Sequence, residues 1–250
     1  MDIQAYFRRI GYTGTAEPTL SNLSAILRRH LETVPFENLD CWPKGKALTN
    51  DPAVLYEKVV LRRRGGVCFE LNGLFYELLK AMGYDCYPVS VRTHMRPGPT
   101  PITHEGIVAT VEGKQYYCDV GFGGPGPKGL VAMDTEGVQE IYGQRFRVTR
   151  DDYTVSIFWF REETWILILS FADIANIPED FSARLYYFTT APESYFVVQR
   201  LANLCLPCGG SKALTNNHIT IRRNGTVSER DLQNEEEVAE VLREEFGLVL

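Results

Sequence analysis

An α+β chain built in three consecutive parts is predicted by three observations. Helical periodicity is confined to the first third; β-rich runs separated by short turns follow from Asp85 to about Thr190; a mixed tail closes on an acidic helix. The expected order is an N-terminal helical bundle (1–84), a central antiparallel β-barrel (85–190) and a C-terminal α/β lid (191–250). No repeat or low-complexity linker separates them, so they should pack as one unit.

In the first part, Asp2 caps a short helix with Ile3, Tyr6, Phe7 and Ile10 turned inward, and Gly11 stops it. Thr19 opens a second helix with Leu20, Leu23, Leu27 and Leu31 on one face. A third follows Gly65-Gly66 and ends near Gly83, with Cys68, Leu71, Phe75, Leu78 and Met82 as its buried stripe. Strands are expected over 86–92, 105–111, 114–120, 141–148, 153–160 and 165–171. Turns at Gly113, at Asp151-Asp152 and over 161–163 separate them. The tail should hold a helix after Pro192, a hairpin turning at Asn224-Gly225, and a terminal helix from about Glu235. The acidic start of that last helix suits the macrodipole.

Composition narrows the class. A chain of 250 residues with 44% hydrophobic residues can bury a substantial core. The net charge of −6, with Lys and Arg scattered, argues against nucleic acid, which calls for a basic face. No apolar run reaches the ~18–20 residues that span a bilayer, and M-D-I-Q-A-Y-F lacks the charged start of a signal peptide. A cytoplasmic protein with its six cysteines reduced is expected. Cys205 and Cys208 form a C-x-x-C, but no second pair supplies the further ligands of a zinc site, and His30, His94 and His218 are isolated. A helix-ending turn before Gly209-Gly210 is the plainer reading. Cys86 and Cys118 read as core.

Cys68 falls in the first turn of its helix, where unpaired N–H groups and the positive dipole end favour a thiolate. A lone helical cysteine is more often a small core residue. What singles this one out lies downstream, where His104 and Asp119 flank a predicted hairpin. With a two-residue loop at Glu112-Gly113, Val111 opposes Lys114 and the two lie one diagonal step off direct opposition on one sheet face. That is roughly 7–8 Å between backbones, within reach of an imidazole–carboxylate bond. A three-residue loop would put them on opposite faces. Cys, His and Asp together make the arrangement of nucleophilic acyl transfer. Asn72, one turn beyond Cys68, is placed for its amide to orient that group.

The chain resembles the arylamine N-acetyltransferases over essentially its full length. The matching segments are A-Y-F-R-R-I-G-Y (5–12), V-P-F-E-N-L-D (34–40), R-G-G-V-C-F-E-L-N-G-L (64–74) and D-V-G-F-G (119–123). The resemblance implies a Cys68–His104–Asp119 triad on a cysteine-protease-like core. It implies ping-pong transfer of acetyl from acetyl-CoA, a co-substrate, to a small aromatic amine or hydrazine, with no permanently bound cofactor and no metal. Arg9, Glu37 and Arg64 would form a buried ion-pair network behind the site. Phe36 and Phe122, with Thr103, would line the substrate pocket. One departure is E-G-I after His104, where the family usually continues with apolar residues and a leucine. A relative with the same triad, an amide synthase releasing a polyketide as a macrolactam, is the alternative. The segment 121–129 lacks P-loop spacing; it and the loop before His104 are candidate CoA contacts.

Overall fold

The computed structural model describes residues 1–95, 98 and 100–249, with only the backbone of Cys208. Arg96, Pro97 and Pro99, in the loop considered for CoA contact, lie outside the described residues. α1 (Ile3–Ile10) is capped by the Asp2 carboxylate on the Ala5 N–H and ends at Gly11 with φ 64°. α2 (Leu20–Thr33) is capped by the Thr19 hydroxyl. α3 (Pro52–Tyr56), capped by Asp51, runs on into a wide π turn over Glu57–Leu61. α4 (Cys68–Ala81) is the central helix, with Leu71, Phe75 and Leu78 wholly buried.

The reading of the first 84 residues as helical fails at β1 (Phe36–Glu37), which pairs with a strand far along the chain. Two residues are too few to carry an alternation signal.

β2 (Asp85–Thr93), β3 (Ile102–Val111), β4 (Lys114–Cys118), β5 (Val131–Ala132), β6 (Val138–Ile141), β7 (Gln144–Asp151), β8 (Thr154–Arg161) and β9 (Thr164–Ala172) form one antiparallel sheet. Its order is β5-β4-β3-β2-β9-β8-β7-β6. The sheet curls until its edges meet. There the Gln139 amide donates to the Ala132 carbonyl (2.7 Å) and accepts from its N–H (2.8 Å), pairing as a peptide group would. The barrel is thus nearly closed.

Two strand expectations are corrected. The run 141–148 is broken by Tyr142-Gly143, both at positive φ (52° and 70°), into the β6–β7 hairpin. The strand signal taken to Thr190 stops at Ala172, and α5 (Ser182–Thr190) follows. Tyr186-Tyr187-Phe188-Thr189-Thr190 is β-prone by residue type; burial of Leu185 and Thr189 on one face makes it a helix instead. α6 (Tyr195–Val198) comes next.

β10 (Leu201–Cys205), β11 (Ser211–Thr215), β12 (His218–Arg223) and β13 (Thr226–Asp231) continue from β1 in the order β1-β10-β11-β12-β13. α7 (Glu235–Phe246) packs Val238, Val241, Leu242 and Phe246 into one core with Ala202, Leu214 and Ile219.

The β3–β4 hairpin positions the site. Val111 pairs with Lys114 and Ile107 with Cys118, so the loop is the two-residue one, with Glu112 and Gly113 at φ 52° and 76°. Both faces are covered, as in a sheet packed on each side. Ile107, Ala109 and Cys118 join the helical core with α4, while Val108 and Tyr117 face the barrel interior.

Candidate active site

Cys68 is the first residue of α4, and its approach is tightly packed. A Cβ at Gly65 would stand 2.0 Å from the Pro35 carbonyl oxygen, and one at Gly121 would stand 2.8 Å from the Cys68 Cα. Only glycines let the 64–67 turn pass Pro35, and the loop after Asp119 pass Cys68, this closely. His104 sits beside a bulge: Val91 pairs with His104 and Arg92 with Ile102, which leaves Thr103 as the extra residue of β3. Bulges re-aim side chains in this way.

The imidazole and carboxylate meet as the hairpin parity predicts. His104 Nε2 lies 2.6 Å from Asp119 Oδ2. The same oxygen accepts from the Tyr117 hydroxyl at 2.8 Å, and Oδ1 accepts from Asn72 Nδ2 (3.0 Å) and the Gly121 N–H (2.9 Å). Asn72 also donates to the Glu105 carbonyl (2.6 Å) and accepts from the Val120 N–H (2.9 Å), tying α4 to both arms of the hairpin. The Cys68 thiol contacts the Thr103 carbonyl at 4.0 Å, and its proximity helps to raise the His104 pKa; Nδ1 is the ring nitrogen that Asp119 leaves free.

Burial alone would lower the His104 pKa. The Asp119 charge and hydrogen bond, helped by Cys68, outweigh it and push the imidazole up to about 10. Burial would raise Asp119, but His104, Asn72 and the Gly121 N–H hold it below the usual carboxylate range. Burial pushes the thiols of Cys41 and Cys86 up to about 12 and raises that of Cys118 well above its ordinary value. Those three are poor nucleophiles at neutral pH.

Phe36, Thr103 and Phe122 line, with Cys68 and His104, a cavity of about 570 Å³. Phe122 meets the imidazole edge-on, centroids 5.4 Å apart. Tyr187, Tyr195 and Phe196 also line it, with Phe196 against Phe36 (centroids 5.8 Å). A second cleft of about 510 Å³ adjoins it across Phe36, Gly123, Gly124 and Pro125, and carries Lys128, Arg161, Lys212 and Arg222. Cys205 also lines this cleft, at the end of strand β10 and not in the expected helix-ending turn; the Cys208 side chain lies outside the described residues.

The ion-pair network differs from the one the resemblance implied. Arg9 is buried but serves as a carbonyl clamp, with Nε on Val59 O (2.8 Å) and Nη1 on Thr33 O (2.9 Å). The network runs instead from Glu37 through Arg64 and Asp40 to Lys58 and Glu70. Its contacts are 2.9, 3.1, 2.9 and 2.8 Å in that order. Glu37 also accepts from the Gly65 N–H, and Glu70 from the Val67 N–H, so both ends fasten the turn that presents Cys68. Burial lowers the Lys58 pKa, but Glu70, Glu37 and Asp40 more than reverse this and keep the ammonium charged. Asp40, Lys58, Glu70 and Tyr117 were missed in the sequence. Asp40 and Glu70 lie inside the quoted motifs, and Tyr117, two residues before Asp119 on the same strand face, was available from parity.

A thiol at a helix start, lining one aromatic cavity with an imidazole that is hydrogen-bonded to a buried carboxylate, is an arrangement suited to covalent acyl transfer. Known proteins carry the assignment further. A family model described as N-acetyltransferase matches residues 19–250. The arylamine N-acetyltransferase of Mycobacterium bovis is 32% identical over 255 residues, covering 99% of this chain and 89% of that protein. That of Escherichia coli is 30% identical over 247 residues, 97% of this chain and 87% of that protein. Among solved structures, the Salmonella typhimurium enzyme superposes with a TM-score of 0.93 at 29% identity, over 98% of this chain and 90% of that one. The Mycobacterium marinum enzyme in complex with CoA gives 0.87 at 27%, over 98% and 92%. The chain belongs to the arylamine N-acetyltransferase family.

Proposed function

We propose that this protein transfers acetyl from acetyl-CoA to aromatic amines or hydrazines through an acetyl-Cys68 intermediate. The observation that carries the mechanism is the Cys68–His104–Asp119 line, closed by the 2.6 Å His104–Asp119 contact. The Cys68 thiolate attacks the thioester carbonyl, and backbone N–H groups at the start of α4, including its own, hold the oxyanion. The bond to the CoA sulfur breaks, and that sulfur takes the His104 proton. The amine then attacks acetyl-Cys68, neutral His104 accepts the amine proton, and Cys68 leaves as thiolate. An anilinic nitrogen is a weak nucleophile, and the covalent intermediate divides one hard step into two easier ones.

Phe36, Phe122 and the tyrosines of the cavity suit an aromatic ring; the four cations of the adjoining cleft suit the phosphates of CoA. Asn72, Glu37 and Arg64 hold the frame, and Arg9 supports it through backbone carbonyls. A catalytic thiol fits the reducing cytoplasm, where we place the protein. Incubation with acetyl-CoA alone tests this reading. One acetyl group should appear on the Cys68 peptide with one CoA released per site, and initial rates should give parallel double-reciprocal lines. Intersecting lines with no acetylated peptide would mean direct transfer. Turnover only of long carrier-bound acyl chains would mean an amide synthase.

A further inference from the structure

The glycine that departs from the family pattern after His104 and the tyrosine before Asp119 form one structural unit. In the β3–β4 ladder Val108 faces Tyr117, and Gly106 is the next residue of β3 on that face. A Cβ at Gly106 would stand 2.4 Å from Tyr117 Cε2 and 2.6 Å from its hydroxyl oxygen. Any larger residue would drive the ring away. The ring is buried and stacks on Phe171 of β9 (centroids 5.3 Å, planes 25° apart). Its hydroxyl donates to Asp119 Oδ2, the one oxygen that also holds His104. Asp119 Oδ1 is already occupied by Asn72 and Gly121.

We infer that Tyr117 is a positioning residue that sets the basicity of His104 through Asp119, and that Gly106 makes the room for it. This rests on the roles given above to Cys68, His104 and Asp119. The ionisable groups around the carboxylate are His104 and Glu105 of β3, Cys118 of β4 and Cys68 of α4; β9 presents the uncharged Phe171. Burial and Asp119 keep the phenol protonated well above its ordinary range, so it stays a donor. By drawing charge from Oδ2 it weakens the carboxylate's hold on imidazolium. More neutral imidazole is then present to take the amine proton, whereas in acetylation His104 starts protonated and gives its proton to the CoA sulfur, so that step changes little.

The test is Tyr117→Phe, which keeps the ring, read by two measurements: iodoacetamide inactivation of Cys68 against pH, and the two half-reactions in single turnover. The alkaline pKa of the Cys68–His104 pair should rise by roughly half to one unit. Deacetylation by an aniline at neutral pH should fall about 3–10-fold, one pKa unit being tenfold, with acetylation within about twofold. Gly106→Ala, which displaces the hydroxyl without removing it, should show the same pattern, and in that background Tyr117→Phe should add little. If Tyr117→Phe does not fold, Gly106→Ala decides. A parental alkaline pKa, or equal slowing of both half-reactions, in either folded variant overturns the inference. Failure of the triad reading would show separately, as a parent enzyme that forms no acetyl-Cys68.

Discussion

Asp119→Asn isolates the carboxylate with the least change of shape. Of the four groups that hydrogen-bond to Asp119, Asn72 and the Gly121 N–H are fixed donors at Oδ1, so the amide oxygen will take that side. The NH₂ then occupies the Oδ2 position, facing the Tyr117 hydroxyl and His104 Nε2. It donates to Nε2, which moves the ring proton to Nδ1, on the side of the Cys68 thiol. The base is lost without the ring moving. In a serine protease the equivalent change costs about 10⁴ in rate, and acetylation of Cys68 should slow by about 10³–10⁴-fold. Stability should change less. A hydrogen bond to a charged group is worth about 1.5–3 kcal/mol, and relief from burying a carboxylate offsets part of it. A net loss of about 1–3 kcal/mol lowers Tm by roughly 2–10 °C in a chain of this size.

The linkage has a definite sign. Asp119 is held below its ordinary pKa, so its contribution is full above the unfolded value near 4 and is lost as pH falls through the lower folded value. His104 is raised to about 10, so its contribution is full below roughly 6.5 and is lost as pH climbs towards 10. The variant should lose the acid-side dependence that belongs to Asp119. Single-turnover acetylation paired with a melting curve checks all of this. A folded Asp119→Asn protein acetylated within tenfold of the parental rate would refute the reasoning.

Limiting iodoacetamide at neutral pH should label Cys68 first, with activity lost in step, as read by peptide mass spectrometry. Labelling of Cys205 or Cys208 with activity intact would point to a redox pair. Lys58→Met should cost about 3–5 kcal/mol, because it strands Glu70 and Asp40. Adding Glu70→Gln should recover part of that loss in the denaturation midpoint, and no recovery would mean that Lys58 acts through packing alone.

What could be read from the sequence was what local chemistry determines. α1, α2 and α4 declare themselves through Asp2, Thr19, Gly11 and a helical stripe. The His104–Asp119 contact followed from a turn that fixes strand parity. Where partners are remote the reading failed. β1 exists because β10 lies beside it, and α5 because Leu185 and Thr189 are covered. Arg9 carries the same charge whether it meets carboxylates or carbonyls, so its clamp on Thr33 and Val59 could not be told from an ion pair. Lys58 carries no local signal, because its carboxylates, Asp40 and Glu70, lie on separate elements.

The two-residue strand β1 explains why the C-terminal sheet belongs to the site. Phe36 pairs with Asn203 of β10, bridges to Gly66 in the turn before Cys68, and would meet any side chain at Gly123 within 2.6 Å. Its neighbour Glu37 accepts from the Gly65 N–H and Arg64. These two residues therefore join the sheet, the turn before Cys68 and the loop after Asp119. A displacement of β10 would carry Phe36 with it, and with Phe36 a wall of the cavity beside Cys68 and the boundary it shares with the adjoining cleft. Strand pairing at 36–37 thus sets the width of both cavities, although neither residue supplies a reacting atom.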